Sequence, residues 1–283
     1  MKNTIKTDLA CESYEAEFEK NSENGLVSSL YEVNDYSIIE TKILNGVGEK
    51  ITGKKMGKYL TLYAKNVWKY NPCEQKKVCS ALSFCIKSLL TDFNLKSPSF
   101  LVAGLGNRQI KADALGPLCI DRLIPTHHLK KESELYGSFG YDLSLVKPLV
   151  LGEGGIESSL MVKGTIECCG ASCLILIDAL STSNIDRLCT TFQISNTGLT
   201  PASAIEDGRQ EISRETMGIP VISIGVPCAI SIDSILSSLA SCKNSTIANI
   251  KSSFLVAPKE IDIIAPVLSK IIADSITDAI KDN

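Results

Sequence analysis

Two aspartates stand where a carboxylate can meet a substrate. Asp113 opens the block Asp113-Ala114-Leu115-Gly116-Pro117, six residues after Gly104-Leu105-Gly106-Asn107. Asp178 follows the apolar run Cys173 to Ile177 and begins Asp178-Ala179-Leu180. Both lie just past a buried-strand pattern, 65 positions apart. Paired aspartates can share a proton, so that one activates water as a base while the other donates to the leaving group. A structural use is equally available to each, and it is the commoner one: an aspartate ahead of Pro117 fits a helix cap, and Asp178 fits a strand-end turn. Gly104 and Gly106 let the backbone turn tightly and expose amide donors beside Asn107, donors suited to a peptide carbonyl or its oxyanion. Glu157, after Gly154-Gly155-Ile156, puts a carboxylate in the first turn of an expected helix. There it could act on a substrate or simply favour the positive helix end.

Other chemistries fit less well. A dinucleotide fingerprint needs a third glycine where Gln109 stands, and an acidic partner further on. No GxSxG elbow occurs, so a serine or cysteine nucleophile would have to borrow His127 or His128, the only histidines. Their placement after the helix that follows Asp113 suits a helix end instead. Cys168-Cys169 with Cys173 falls far from metal-ligand spacing, and no CxxC pair is present.

The elements that must position these residues alternate. Strand-like pieces run over Gly25 to Val33, Tyr36 to Leu44 and Gly57 to Ala64, with Gly46, Gly48 and Gly53 as turns. A helix is expected over 73–93, where Val78, Leu82, Cys85, Ile86 and Leu89 recur at three- and four-residue spacing. Apolar runs follow at Ser99 to Ala103, Cys173 to Ile177, Thr191 to Ile194 and Val221 to Val226. Helices are expected at Pro117 to Ile124, 155–167 and Pro258 to Ile280. This alternation predicts an α/β fold: a mostly parallel central sheet flanked by helices, with a smaller β-rich part over 25–66. Ligands in such folds sit beyond the carboxyl ends of the strands. Residues 1–24 carry acidic side chains and no periodic apolar face, and read as a loosely held arm.

Composition narrows the function. Apolar residues make up 44% and charged residues 22%, a globular balance able to fold without staples. A net charge of −3 with no basic block argues against direct nucleic-acid binding. The longest uncharged run, Thr216 to Ile232, is too short and too broken by Pro220 and Pro227 to span a bilayer. The eleven cysteines, an odd number lying largely in apolar runs, read as reduced core thiols of a cytosolic protein.

At these residues the chain resembles the germination protease family, endopeptidases that degrade small acid-soluble proteins in endospore-forming bacteria. The likeness is carried by Lys6-Thr7-Asp8-Leu9-Ala10, Gly57-Lys58-Tyr59-Leu60-Thr61-Leu62, the Gly104 to Pro117 block, Gly155-Ile156-Glu157 and Ile177 to Leu180. It is densest from Gln193 to Pro227, around Glu211-Ile212-Ser213 and Gly218-Ile219-Pro220-Val221. The resemblance implies a fold similar to hydrogenase maturation endopeptidases, a homotetramer, a spore-core location and a catalytic pair at Asp113 and Asp178. No histidine follows Asp178, so it implies a metal-free aspartate mechanism without a cofactor. Family members are zymogens that remove a short propeptide, and their substrates are cut within Thr-Glu-aromatic/aliphatic-Ala. Thr7-Asp8-Leu9-Ala10 is similar to that site, so cleavage is expected between Asp8 and Leu9, leaving a peptidase domain of 9–283 with its core over 99–283. Two departures are the short propeptide, 1–8, and a missing segment around Ser252 to Phe254. The loop Ala202 to Arg209, a possible groove lining, also differs. A metal-dependent maturation-type peptidase and a non-catalytic scaffold for acid-soluble proteins are the alternatives.

Overall fold

Side-chain alternation along the apolar runs sorts the chain onto the two faces of one mixed sheet. The computed structural model describes residues 7–18, 25–200, 210–236 and 254–281. Among them are nine strands: β1 (Leu26–Val33), β2 (Tyr36–Ile43), β3 (Gly57–Tyr63), β4 (Ser99–Gly104), β5 (Asp142–Val146), β6 (Cys173–Thr182), β7 (Thr191–Ser195), β8 (Val221–Ser231) and β9 (Leu255–Val256). Their order is β1-β2-β3-β7-β8-β6-β4-β5, with β9 on β8. The α/β class is the expected one. Its parallel part is the block β8-β6-β4-β5, and β1, β2, β3 and β7 continue the same sheet antiparallel.

One face is fully apolar. Ile175 and Ile177 of β6, Ile222 and Ile224 of β8, Phe192 and Ile194 of β7 and Leu60 and Leu62 of β3 join a single core. Three helices cover it: Pro72–Phe93, Leu115–Ile120 and Ile261–Ile280. The first starts as its sequence dictates, with Pro72 at the first turn and a reciprocal Asn71–Glu74 capping box. The second face is divided. Leu174 and Leu176 of β6 are covered by Val162 and Ile166 of helix Ser158–Cys169. Across the sheet, Ile43 and Tyr59 are covered by Ala10. Between these patches β7 and β8 present polar residues, Gln193, Ser195 and Ser223. A gap between two small cores is where a polar cavity can survive.

Several local expectations need correction. Residues 10–18 are not a loose arm: Ala10–Phe18 is a helix, and Leu9, Ala10 and Cys11 are buried. A three-residue apolar anchor is too short to register as periodicity. Gly46 and Gly48 lie inside helix Gly46–Thr52, capped by the Asn45 side chain and closed by left-handed Gly53. Gly154-Gly155 ends the short helix Leu151–Gly154 rather than opening the next one. β6 runs five residues past Ile177, so Asp178 lies within a strand and not at its end.

The glycines of the 104–116 block act through missing side chains. A Cβ on Gly116 would lie 2.3 Å from the Leu105 carbonyl oxygen, and one on Gly104 would lie 2.4 Å from that of Gly116. The end of β4 and helix Leu115–Ile120 therefore touch backbone to backbone. Gly116→Ala should cost about 2–3 kcal/mol, because backbone cannot yield as a side-chain tip can. Gly164→Ala, inside helix Ser158–Cys169 where a Cβ meets nothing within 4 Å, should instead stabilise by about 0.5–1 kcal/mol. Urea unfolding of the two variants checks both signs.

Candidate functional site

Asp178 reaches its position because β6 continues beyond the apolar run. It pairs with Gly225 of β8, which pairs in turn with Gln193 of β7. Gly225 contributes no side chain between them. Alternation puts Asp178 on the face of Leu174 and Leu176, where cover by helix Ser158–Cys169 gives out. A cavity of about 460 Å³ opens here, with Asp8, Asp113, Asp178, Lys54, Gln193 and Ser223 in its wall.

Asp113 is set by the turn before it. Gly106 has φ +103°, and a Cβ there would lie 2.1 Å from the Asp113 carbonyl oxygen. The chain folds back so tightly that the Asn107 N–H donates to Asp113 Oδ2 at 2.7 Å. Asn107 Oδ1 in turn accepts from the Gln109 N–H at 2.7 Å. Asp113 does not cap the following helix, whose N-terminal flank is Ala114. The amides of this loop are also engaged: Leu105 N–H goes to the Ile177 carbonyl at 2.8 Å and Asn107 N–H to Asp113. Gly104, Gly106 and Asn107 thus aim a carboxylate here, and Asn107 N–H is not on hand for an oxyanion.

Asp178 is 7% exposed and accepts the Ala179 N–H at 2.9 Å on Oδ1. Burial raises its pKa well above the usual carboxylate range. The nearby Asp113 and Asp8 carboxylates push it the same way, against the Ala179 hydrogen bond. The site therefore favours a protonated Asp178.

The third carboxylate arrives with the N-terminal segment. Asp8 N–H donates to the Ser181 carbonyl at 3.1 Å, while Ser181 N–H and Oγ–H both donate to Asp8 Oδ2 at 2.8 Å. The register shift between Leu180 and Ser181 turns this stretch of β6 toward the segment. Gln193 clamps both sides of Leu9: its Nε2 donates to the Asp8 carbonyl at 2.9 Å and its Oε1 accepts the Ala10 N–H at 2.7 Å. Lys54 Nζ lies 4.0 Å from Asp8 Oδ1, its pKa lowered by burial against the opposing pull of Asp8 and Glu12. One turn on, buried Glu12 accepts from Thr7, Thr182 and Ser183. Arg187 ties down Glu15 at 2.6 Å.

The structure thus brings Asp8, Leu9, Asp113 and Asp178 together, with the 104–107 loop behind Asp113. Glu157 stands apart from the cavity wall, as the residue flanking helix Ser158–Cys169. His127 bonds Asp142 at 2.9 Å on another part of the molecule. The Ala202 to Arg209 loop lies outside the described residues. Thiols make poor nucleophiles here: burial pushes Cys173 up to about 12 and Cys119 upward, and Cys228 is raised first by its hydrogen bond with Cys189 and then by burial. Sequence reasoning missed Gln193, Ser181 and Lys54. Gln193 had a visible signal, a polar residue between Phe192 and Ile194 in a strand pattern. Lys54 had none.

The germination protease family model matches residues 5–242. A germination protease of Bacillus pumilus (strain SAFR-032) is 38% identical over 244 residues, covering 82% of this chain and 65% of the relative. That of Bacillus subtilis (strain 168) is 35% identical over 239 residues, covering 82% and 65%. That of Caldanaerobacter subterraneus subsp. tengcongensis is 38% identical over 229 residues, covering 80% and 69%. The chain spans about two thirds of the length of the curated relatives it matches. Among solved structures, a nickel–iron hydrogenase maturation protease, HycI of Thermococcus kodakarensis KOD1, matches 69% of this chain and 99% of its own, at 16% identity and a TM-score of 0.36.

A raised carboxyl pKa has a defined thermodynamic sign. The folded chain holds the Asp178 proton more tightly than the unfolded chain, whose value is near 3.8. The associated stability is fully present below that value and is lost as pH rises through the folded pKa. Asp178→Asn removes the ionisation and keeps the shape. Its melting temperature should gain on the wild type as pH increases, and a gap that does not change with pH would contradict the burial argument.

Proposed function

The chain belongs to the germination protease family, and from that premise we propose that it is an endopeptidase, made as a zymogen and processed by its own site. The observation that carries this reading is that Asp8 enters the wall of the cavity that holds Asp113 and Asp178, with Gln193 and Ser181 fixing the segment on either side of the Asp8–Leu9 bond. Half-buried Asp113 takes a proton from water, and the resulting oxygen attacks the Asp8 carbonyl carbon. Asp178 gives its proton to the Leu9 nitrogen as the C–N bond breaks, leaving a carboxylic acid on Asp8 and an amine on Leu9. The Asp113 proton then returns to Asp178 to reset the pair. Gln193 holds the carbonyl on one side of the bond and the amide one residue beyond it, so the peptide is positioned before the pair acts.

In this reading the later substrates are small acid-soluble spore proteins, the chain works in the spore core, and its assembly is a homotetramer. It uses no cofactor and contacts neither nucleic acid nor membrane directly. No helix among the described residues is long and apolar enough to cross a membrane. The alternative within enzymes is a metal-dependent maturation-type peptidase.

The test is the mass of purified full-length protein followed over time between about pH 5 and 7. Wild type should lose residues 1–8, while Asp113→Asn and Asp178→Asn should slow that loss by about 10²–10⁴-fold. Loss of processing on adding a chelator would favour the metal-dependent enzyme. An unchanged mass in wild type, with acid-soluble protein bound but left intact, would favour the scaffold.

A further inference from the structure

The cavity holds a carboxylate that the chemistry of bond cleavage does not require. Asp8 places its Oδ2 on two donors of Ser181, N–H and Oγ–H, both at 2.8 Å, while Oδ1 faces Lys54 Nζ at 4.0 Å. Ser181 is fixed in the irregular end of β6, and Lys54 is held just past Gly53, the left-handed residue that closes helix Gly46–Thr52. Two neutral donors and one cation converge on a single acidic group from two separate elements. Nothing else about a peptide bond calls for that arrangement. Asp178 and Asp113 are themselves anionic or proton-sharing, so an acid beside them is repelled unless something offsets the repulsion. Of the two lysines in the wall, Lys55 pairs with Glu211 at 3.4 Å and Lys54 faces Asp8, and burial in turn makes the Lys54 ammonium depend on an anionic partner.

We propose that Lys54 and Ser181 form the subsite that selects an acidic side chain immediately N-terminal to the scissile bond. Asp8 fills it before processing, and the acidic residue of a substrate peptide fills it afterwards. The assignment rests on the peptidase reading above for its location relative to the bond. Ser181 gives directional hydrogen bonds to one carboxylate oxygen, and Lys54 supplies the charge that separates an acid from its amide. The subsite and the water-activating pair then share one wall of the cavity, so specificity and catalysis are coupled by charge.

Two measurements decide it. The first needs no catalysis. In full-length protein carrying Asp113→Asn, buried Cys11 reports whether the segment is docked, through the alkylation rate of the peptide that contains it. Asp8→Asn and Lys54→Met should each speed alkylation about tenfold, as loss of a hydrogen bond or ion pair to a charged group does. The double variant should be no faster than the faster single, because both remove one interaction. Unchanged rates, or effects that multiply, overturn the subsite. The second compares kcat/KM for two peptides that differ only in glutamate or glutamine before the scissile bond. Lys54→Met should shrink the wild-type preference for the acid about tenfold. An equal fall on both peptides, or an unaltered preference, overturns it as well. If wild type cleaves neither peptide, the peptidase reading fails, and Cys11 alkylation still decides what holds Asp8.

Discussion

Three carboxylates around one cavity are the constraint on which the rest of this structure turns. Asp178 is buried within a strand, with Asp113 and Asp8 close enough to hold its proton on. Such a cluster is costly in isolation, since like charges in a desolvated site oppose one another. The neighbouring elements offset that cost in separate ways. Asn107 N–H binds Asp113, Ala179 N–H binds Asp178, and Ser181 with Lys54 receives Asp8. These partners come from three pieces of chain: the turn after β4, β6 for both Ala179 and Ser181, and the residues just past the helix that follows β2. The sheet has to bring those pieces to one place, and the glycines at 104, 106 and 116 allow the closest of the approaches.

The same electrostatics explain why the N-terminal segment is docked so firmly despite its polar composition. Its apolar anchor is only Leu9, Ala10 and Cys11. The remaining attachment is a ladder of charge-assisted hydrogen bonds: Asp8 to Ser181, Glu12 to Thr182 and Ser183, and Glu15 to Arg187. Such bonds are roughly twice as strong as neutral ones.

What the sequence made legible follows the range of each signal. In the parallel block β4, β6 and β8 were readable because burial on both faces leaves long apolar runs, as at Cys173 to Ile177, whereas β5, with Asp142 and Ser144 among its five residues, leaves no such run. Helix Pro72–Phe93 was readable from the three- and four-residue spacing of its apolar positions from Val78 to Leu89. Asp113 and Asp178 could be nominated from their position after such runs, although each was equally compatible with a cap or a turn. The structure removes both of those structural uses, since Ala114 flanks the helix and β6 continues to Thr182. Helix Ala10–Phe18 and the Gly46–Thr52 helix were not readable. One is held by long-range hydrogen bonds to β6, and the other contains two glycines and depends on the Asn45 cap.

Lys54 marks the limit of local reading. In the sequence it is one of a pair of lysines after a glycine, ordinary for an exposed turn. It becomes significant because β3 pairs with β7 and β7 with β8, which carries the Gly46–Thr52 helix and its following residues over the cavity. A lysine brought there meets Asp8 from 46 positions earlier in the chain. Its burial and its charged surroundings are then set by topology alone. A specificity-determining cation need carry no motif of its own, because what defines it is the carboxylate it faces and the sheet order that makes them meet.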